Sequence, residues 1–259
     1  LAPSQREAKV LRELPTKVGF SSLDEGVVED THYFVTDWFE VRPVKETAKR
    51  VRQHLTTSNK KRLLTLVRQC AELIDATHRA GWVHGDVQPS HFIETDSGDV
   101  RLVDWALARR VDNPEQWPHS GSLVHYSAPE IAEAMLGRQK ESGYGVSSEI
   151  YSLCATLFMF FTGKTVVDYG IEPQGEERFA HRLRKIISET QKESLMSRLD
   201  ELPSWIPSSL CDAIKRGLSF ETTRRPSAND ILMSIPKEER STGASAGSPH
   251  TWEHHRPVE

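Results

Sequence analysis

The sequence predicts an α+β fold with most of its mass in helices, on three observations. Apolar residues recur every three or four positions through long segments after residue 60. One β-hairpin pattern interrupts them, and other strand-like sequence gathers around residues 33–41. The 259 residues are 37% hydrophobic, enough for one sizeable core or two small ones and too little for a string of domains.

The elements follow in order. "REAKVLREL" sets Val10, Leu11 and Leu14 on one stripe, a short amphipathic helix that Pro15 helps to end. "SSLDEG" and "EDTH" read as turn-rich connections leading to one strand, "YFVTDWFEV", rich in branched and aromatic residues. "KKRLLTLVRQCAELIDATHRA", residues 60–80, is a long helix closed by Gly81. "HFIETDSGDVRLVDW" is two short β runs around the turn "TDSGD". Helical patterns then alternate with loops: "EIYSLCATLFMFFTG", "RFAHRLRKIISET", "SSLCDAIKRGLS" and "SANDILMSI". The polar, small-residue-rich end, residues 237–259, is expected to be a disordered tail.

A net charge of -4, with both signs mixed along the chain, argues against nucleic acid or an anionic membrane as partner. Three cysteines, Cys70, Cys154 and Cys211, lie far apart inside apolar helical patterns. That odd number argues against a disulfide framework or a Cys-type zinc site and for a reduced, cytoplasmic compartment. The longest apolar run, "LCATLFMFF", is about half of the roughly 20 residues a spanning helix needs, so no membrane insertion is expected. "LAPSQREAKV" has no apolar signal core, and its start at Leu1 suggests a processed, excised or fragmentary product.

The stretch "VHGDVQPSHF" places His84 and Asp86 between a long helix and the hairpin, and Asp104 follows 18 residues later, just past the second strand. Two carboxylates at one end of a hairpin suit phosphoryl transfer: one orients and deprotonates the attacking hydroxyl, the other holds a divalent ion on the phosphate oxygens. On these two positions alone, ordinary turn aspartates remain an alternative.

Further motifs extend the pattern. Val83–Phe92 resembles the catalytic loop of eukaryotic-type Ser/Thr protein kinases, in a divergent, bacterial-like form. "VDWALAR" resembles their metal-binding D-F-G stretch, and "YSAPE" their A-P-E motif. "SSEIYSLCATLFMFFTGK" is similar to the family's central buried helix and "RRPSANDIL" to the Arg-Pro that opens its last helix. "YFVTDWFEV" is similar to the fifth strand and hinge, and "REAKVL" to the helix whose glutamate pairs with the strand-three lysine. The resemblance runs from Arg6 to Ile235. It implies a protein-kinase-like fold, with a remnant N-lobe of one helix and a few antiparallel strands plus hinge over residues 1–40, and a mainly helical C-lobe over 41–236.

The same resemblance assigns roles. Asp86 corresponds to the catalytic base, and His84, grouped with it as catalytic, to the residue that packs under the metal-binding segment. Asp104 corresponds to the main metal ligand, and His91 stands where an Asn holds the second metal, either as a nitrogen ligand better suited to zinc or manganese than to magnesium or as a packed, hydrogen-bonded side chain. The backbone of Asp37 and Phe39 corresponds to the adenine-binding hinge, Thr36 to the gatekeeper and Ile93 to the floor under adenine. Gln88 occupies the place of a phosphate-neutralising Lys. Structural counterparts are Glu7, the helix glutamate, with Leu11 a turn later against His84 and Trp105; Glu130 paired with Arg225; and Glu149 where an Asp holds the catalytic-loop backbone.

Departures matter as much. Gly85 replaces an Arg that reads activation-loop phosphorylation, Gln88 carries no charge, and Trp105 and Ala106 stand for Phe and Gly. One extra residue follows Ser122 before A-P-E. No glycine-rich loop or strand-three lysine precedes Glu7, so either a full N-lobe lies upstream of Leu1 or the chain is a truncated homologue; the 259 residues by themselves are expected to expose an apolar face and to bind nucleotide weakly. Tight binding would require another cation, Lys9 or Arg6 of the first helix. The resemblance implies ATP and Mg2+, with Mn2+ as an alternative, and a protein substrate or binding partner. Three functions follow: transfer of the γ-phosphate of ATP to a protein hydroxyl, a catalytically impaired pseudokinase acting as a binding or scaffold module, or a small-molecule phosphotransferase of the aminoglycoside type.

Overall fold

In the computed structural model the described residues are 3–15, 18, 22–36, 38, 40–113, 123–137, 144–191 and 194–237. The predicted tail lies, from residue 238 on, outside them.

The first helix, α1 (Pro3–Glu13), buries Ala8, Val10 and Leu11, and Leu14 is buried just beyond its end. This face packs on a 3-10 turn at Trp105–Leu107 and on the hairpin of β1 (Ser22–Val28) and β2 (Thr31–Thr36). "SSLDEG" is therefore strand rather than turn, a correction with a clear cause. Ser22 to Val28 pairs antiparallel with β2, and the turn falls at Glu29 and Asp30, whose φ values of 48° and 64° suit a tight hairpin. Polar Asp24 and Glu25 are tolerated because the strand is exposed there, and Glu25 pairs with Arg12 of α1.

"YFVTDWFEV" is not one strand. It breaks after Thr36, and β3 (Val41–Pro43) joins a different sheet, ordered β3-β5-β6, with β5 (Phe92–Thr95) in the centre and β6 (Val100–Leu102) beyond. Pro43 sits opposite Ile93, and Phe92 opposite Leu102. Pro43 then caps α2 (Val44–Gln53), a helix the sequence reading passed over although Val44, Thr47, Ala48 and Val51 form one buried stripe. Thr47 Oγ1 donates to Glu94 Oε2 at 2.8 Å, and Arg62 pairs with the same buried carboxylate, fastening α2 and α3 (Thr57–Arg79) to β5. Thr56 caps α3 by accepting from Asn59 N at 3.1 Å, and Gly81, at φ 78°, reverses the chain after it.

The hairpin and helices of the second half form as expected. The central helix α5 (Val146–Thr162) is buried around nearly its whole circumference, with Ile150, Leu153, Cys154, Leu157, Phe158, Phe160 and Phe161 at the core. A helix apolar on all sides is stable only when enclosed, and α2, α3 and α8 (Ser208–Gly217) pack on it. Around them lie α4 (Pro129–Met135), α6 (Glu177–Thr190), α7 (Ser194–Leu199) and α9 (Ala228–Met233), the last opened by a Ser227–Asp230 capping box. The three cysteines are free thiols. Among the described residues no helix is long and apolar enough to cross a membrane.

Candidate active site

The loop "VHGDVQPSHF" is suspended between two short strands, a helix end and the core. β4 (Trp82–Val83) pairs with β7 (Arg109–Arg110), which fixes the loop's start beneath the segment that carries Asp104. His84 is fully buried, with Nε2 donating to Val103 O at 3.0 Å, Nδ1 accepting from Asp86 N at 3.2 Å, and its ring edge-on to Trp105 at 4.6 Å. Burial lowers its pKa, which keeps this tautomer neutral.

Gly85 follows at φ 86°, where a Cβ would fall 2.3 Å from Leu107 O. Its amide donates to Glu149 Oε2 at 2.9 Å, while His78 Nε2 lies 3.1 Å from Glu149 Oε1. Burial alone would raise this fully enclosed carboxyl, yet the His78 and Gly85 hydrogen bonds hold it below the usual range. Arg109 is buried over the Tyr144 ring, and burial brings its guanidinium down to about 10.

Asp86 projects from this anchored turn. Gln88 Nε2 donates to its Oδ2 at 2.9 Å, and Leu123 N donates to Oδ1 at 3.3 Å. His91 Nδ1 donates to Asp86 O at 2.9 Å, and its Nε2 faces Asp104 Oδ2 at 3.5 Å. One donor atom each of Asp86, His91 and Asp104 lies within 4.8 Å of the others. Asp104 reaches this position through a left-handed backbone, φ 66°, a strained conformation for a non-glycine residue of the kind that accumulates at functional sites. The strain is held by the next residue: Trp105 is fully buried, its indole donates to Leu102 O at 2.9 Å, and its amide donates to Glu7 Oε1 at 3.0 Å. Burial is the main cause raising the Glu7 carboxyl, with the Asp104 charge adding to it.

Beside Asp104 opens a cleft of about 250 Å³ lined by Glu7, Leu11, Phe34, Thr36, Ile93 and Asp104 itself, among others. Thr36 and Ile93 thus share one wall set. Asp37 and Phe39 lie outside the described residues. Farther out, Glu130 and the buried Arg225 form a two-pronged ion pair, 2.7 and 2.9 Å, with Ser148 Oγ donating to Glu130 at 2.8 Å.

Two participants escaped the sequence reading, and a third holds a different role from the one expected. His78, in the last turn of α3, reaches Glu149; its position just before the loop was the available signal. Arg6, considered as a phosphate cation, is instead buried and donates to the Leu107 and Ala108 carbonyls at 3.1 and 2.7 Å, bracing the segment after Asp104. Leu123 contributes only a backbone amide, for which a sequence carries no signal.

The family model "Protein kinase domain" matches residues 4–234. The probable serine/threonine-protein kinase PknB of Lactococcus lactis is 27% identical over 172 residues, 65% of this chain and 25% of that protein. The probable serine/threonine-protein kinase CPE1738 of Clostridium perfringens is 22% identical over 248 residues, 94% and 33% respectively. The serine/threonine-protein kinase PknK of Mycobacterium tuberculosis is 29% identical over 181 residues, 68% and 14%. The chain therefore spans no more than about a third of the length of any of these three relatives.

Proposed function

The chain belongs to the protein kinase family, and from that premise we propose that it serves transfer of the γ-phosphate of ATP to a hydroxyl of a protein substrate. The observation that carries this reading is the convergence of Asp86 and His91 on Asp104, which also lines the Thr36–Ile93 cleft. In this reading the adenine enters that cleft, against Ile93, with the main chain at Asp37 and Phe39 as its hinge partner. The small-molecule phosphotransferase alternative is set aside, since the family is that of the protein kinases.

The donor set fits a divalent ion: a half-exposed carboxylate, an imidazole and a second carboxylate within reach of one centre. Asp104 and His91 would hold it, and it would supply neutralisation of charge on the phosphate oxygens. Asp86 would accept the proton of the attacking hydroxyl, with Gln88 fixing the orientation of its carboxylate. His84 acts by position: buried beneath the loop, it satisfies the Asp86 amide and the Val103 carbonyl and touches no reacting atom. Glu7, Glu149 and the Glu130–Arg225 pair hold the framework. Gln88 supplies hydrogen bonds without charge, so its contribution to the transferring phosphate falls short of a cation by a few kcal/mol, about 3 on the scale of a lost preorganised donor.

The test separates the two aspartates. Asp104→Asn is expected to remove metal-dependent ATP binding, whereas Asp86→Asn is expected to keep binding and abolish transfer in any form of the protein that transfers phosphate. Equal transfer by wild type and both variants would refute the assignment. A second reading, a pseudokinase module that binds without transferring, is favoured by one observation: both oxygens of Asp86 already accept hydrogen bonds, from Gln88 and Leu123. Under that reading Asp86→Asn alters neither nucleotide binding nor partner binding.

A further inference from the structure

His91 is presented as a metal ligand rather than merely packed. Its Nδ1 lies 2.9 Å from the Asp86 carbonyl oxygen, which can only accept, so Nδ1 carries the hydrogen and Nε2 of the neutral ring carries the lone pair. Ligating histidines are characteristically fixed in this way, with the far nitrogen donating to a main-chain carbonyl. That lone pair faces a carboxylate oxygen of Asp104 at 3.5 Å. Two acceptors aimed at each other repel unless a cation, a proton on Nε2 or a metal ion, lies between them. Donors about 2.0–2.2 Å from one tetrahedral ion stand roughly 3.3 Å apart, so the observed separation is close to that of two ligands of one zinc-class ion. Asp86, mostly enclosed and held by Gln88 and Leu123, offers the third donor within 4.8 Å.

The family motif places an amide oxygen where His91 stands, and that exchange changes which ions bind. Magnesium requires oxygen ligands in near-octahedral order, whereas imidazole nitrogen favours zinc, manganese and their neighbours. We propose that Asp86, His91 and Asp104 form a three-ligand site for a zinc-class divalent ion, bound without nucleotide, and that its occupancy blocks phosphoryl transfer. The binding half follows from the donor geometry. The blocking half rests on Asp86 being the proton acceptor: an ion that takes the Asp86 lone pair removes the group that must receive the hydroxyl proton.

The experiment titrates the 259-residue chain with Zn2+ alone and, separately, with Mg2+ alone, by calorimetry, and follows the histidine ring nitrogens by NMR. A His254→Ala, His255→Ala background removes the tail pair as a competing ligand. Zn2+ is expected to bind one site and to shift the His91 Nε2 resonance. His91→Asn and Asp104→Asn are each expected to weaken it by at least about 10–100-fold, the loss typical of even an outer partner of a metal ligand. Unchanged melting temperatures of the metal-free variants show that the fold is intact; should one variant unfold, the Nε2 resonance of the parent chain decides. Zn2+ binding indifferent to His91→Asn, or a zinc titration that leaves His91 Nε2 unshifted, overturns the proposal. These outcomes are independent of the kinase reading, whose failure appears as Asp104-independent binding of Mg2+ and ATP.

Discussion

Gly85 illustrates how one residue is set by its surroundings. Its backbone is left-handed at φ 86°, and its α-carbon approaches the Leu107 carbonyl so closely that a methyl group there would lie 2.3 Å from the oxygen. The Arg of the family motif is therefore excluded at this position by main-chain contact as well as by conformation. We expect Gly85→Ala to lower stability by at least about 1–3 kcal/mol, the usual strain of a residue held in that region, and Gly85→Arg to be no better. Urea denaturation midpoints measure it; an Ala variant as stable as wild type would show that the loop relaxes away from Leu107. Asp104 follows the same logic, its left-handed backbone held through the next residue, whose amide donates to Glu7 and whose ring is fully buried.

At the scale of elements, the Glu130–Arg225 pair joins the start of α4 to the turn before α9, and Ser147 O accepts a further Arg225 hydrogen bond at 3.0 Å. Removing one partner leaves the other's charge without its counter-ion in a mostly enclosed place, so Arg225→Ala is expected to cost about 3–5 kcal/mol, whereas replacing both residues by methionine is expected to cost much less. Burial by itself would raise the Glu130 carboxyl, but the Arg225 hydrogen bonds and charge, with Ser148, bring it below the ordinary value. Glu149 is held low in the same sense by His78 and Gly85. A carboxyl lower in the folded than in the unfolded chain stabilises fully above the unfolded value, about 4.3, and that share is lost as pH falls through the folded value. Acid titration followed by circular dichroism is expected to show stability falling below about pH 4, with a shallower fall in Glu130→Gln. An identical pH profile in that variant would deny the pair its linkage.

The whole molecule poses a question of charge. Among the described residues the cleft's lining includes two carboxylates, Glu7 and Asp104, and no lysine or arginine. Arg6, one of the two candidate cations on α1, donates to main-chain carbonyls. A triphosphate bound here meets hinge and ring contacts with little to offset its charge, so ATP is expected to bind the 259-residue chain near 1 mM, about -4 kcal/mol, even with Mg2+. A fluorescent-nucleotide titration measures this, and a dissociation constant in the low micromolar range would reveal an unrecognised cation. The β1–β2 hairpin meanwhile exposes Val27, Val28, Tyr33 and Val35, with Trp38 91% exposed beside it. Apolar surface of that kind promotes association. Concentration-dependent sedimentation is therefore expected, reduced in Val27→Thr combined with Val35→Thr.

The sequence by itself determined what local patterns can encode. The apolar run of α5 demanded enclosure on all sides, "TDSGD" demanded a hairpin, and the spacing of Asp86, Asp104, Glu130 and Arg225 followed the order of one family. Tertiary structure alone decided the features whose cause lies far along the chain. "SSLDEG" became strand because β2 supplied its ladder, and residues 33–41 split because Val41–Pro43 found a partner in β5. Arg6 turned from the cleft because carbonyls 101 and 102 residues away needed donors, and Gly85 had to be glycine because Leu107 O occupies the space of a side chain. The tautomer of His91 was likewise chosen by the carbonyl of Asp86, which the fold of the loop brings to its Nδ1. A sequence states which groups are available, and only packing settles which of them meet, because hydrogen-bond geometry and steric exclusion act between atoms that the chain order keeps apart.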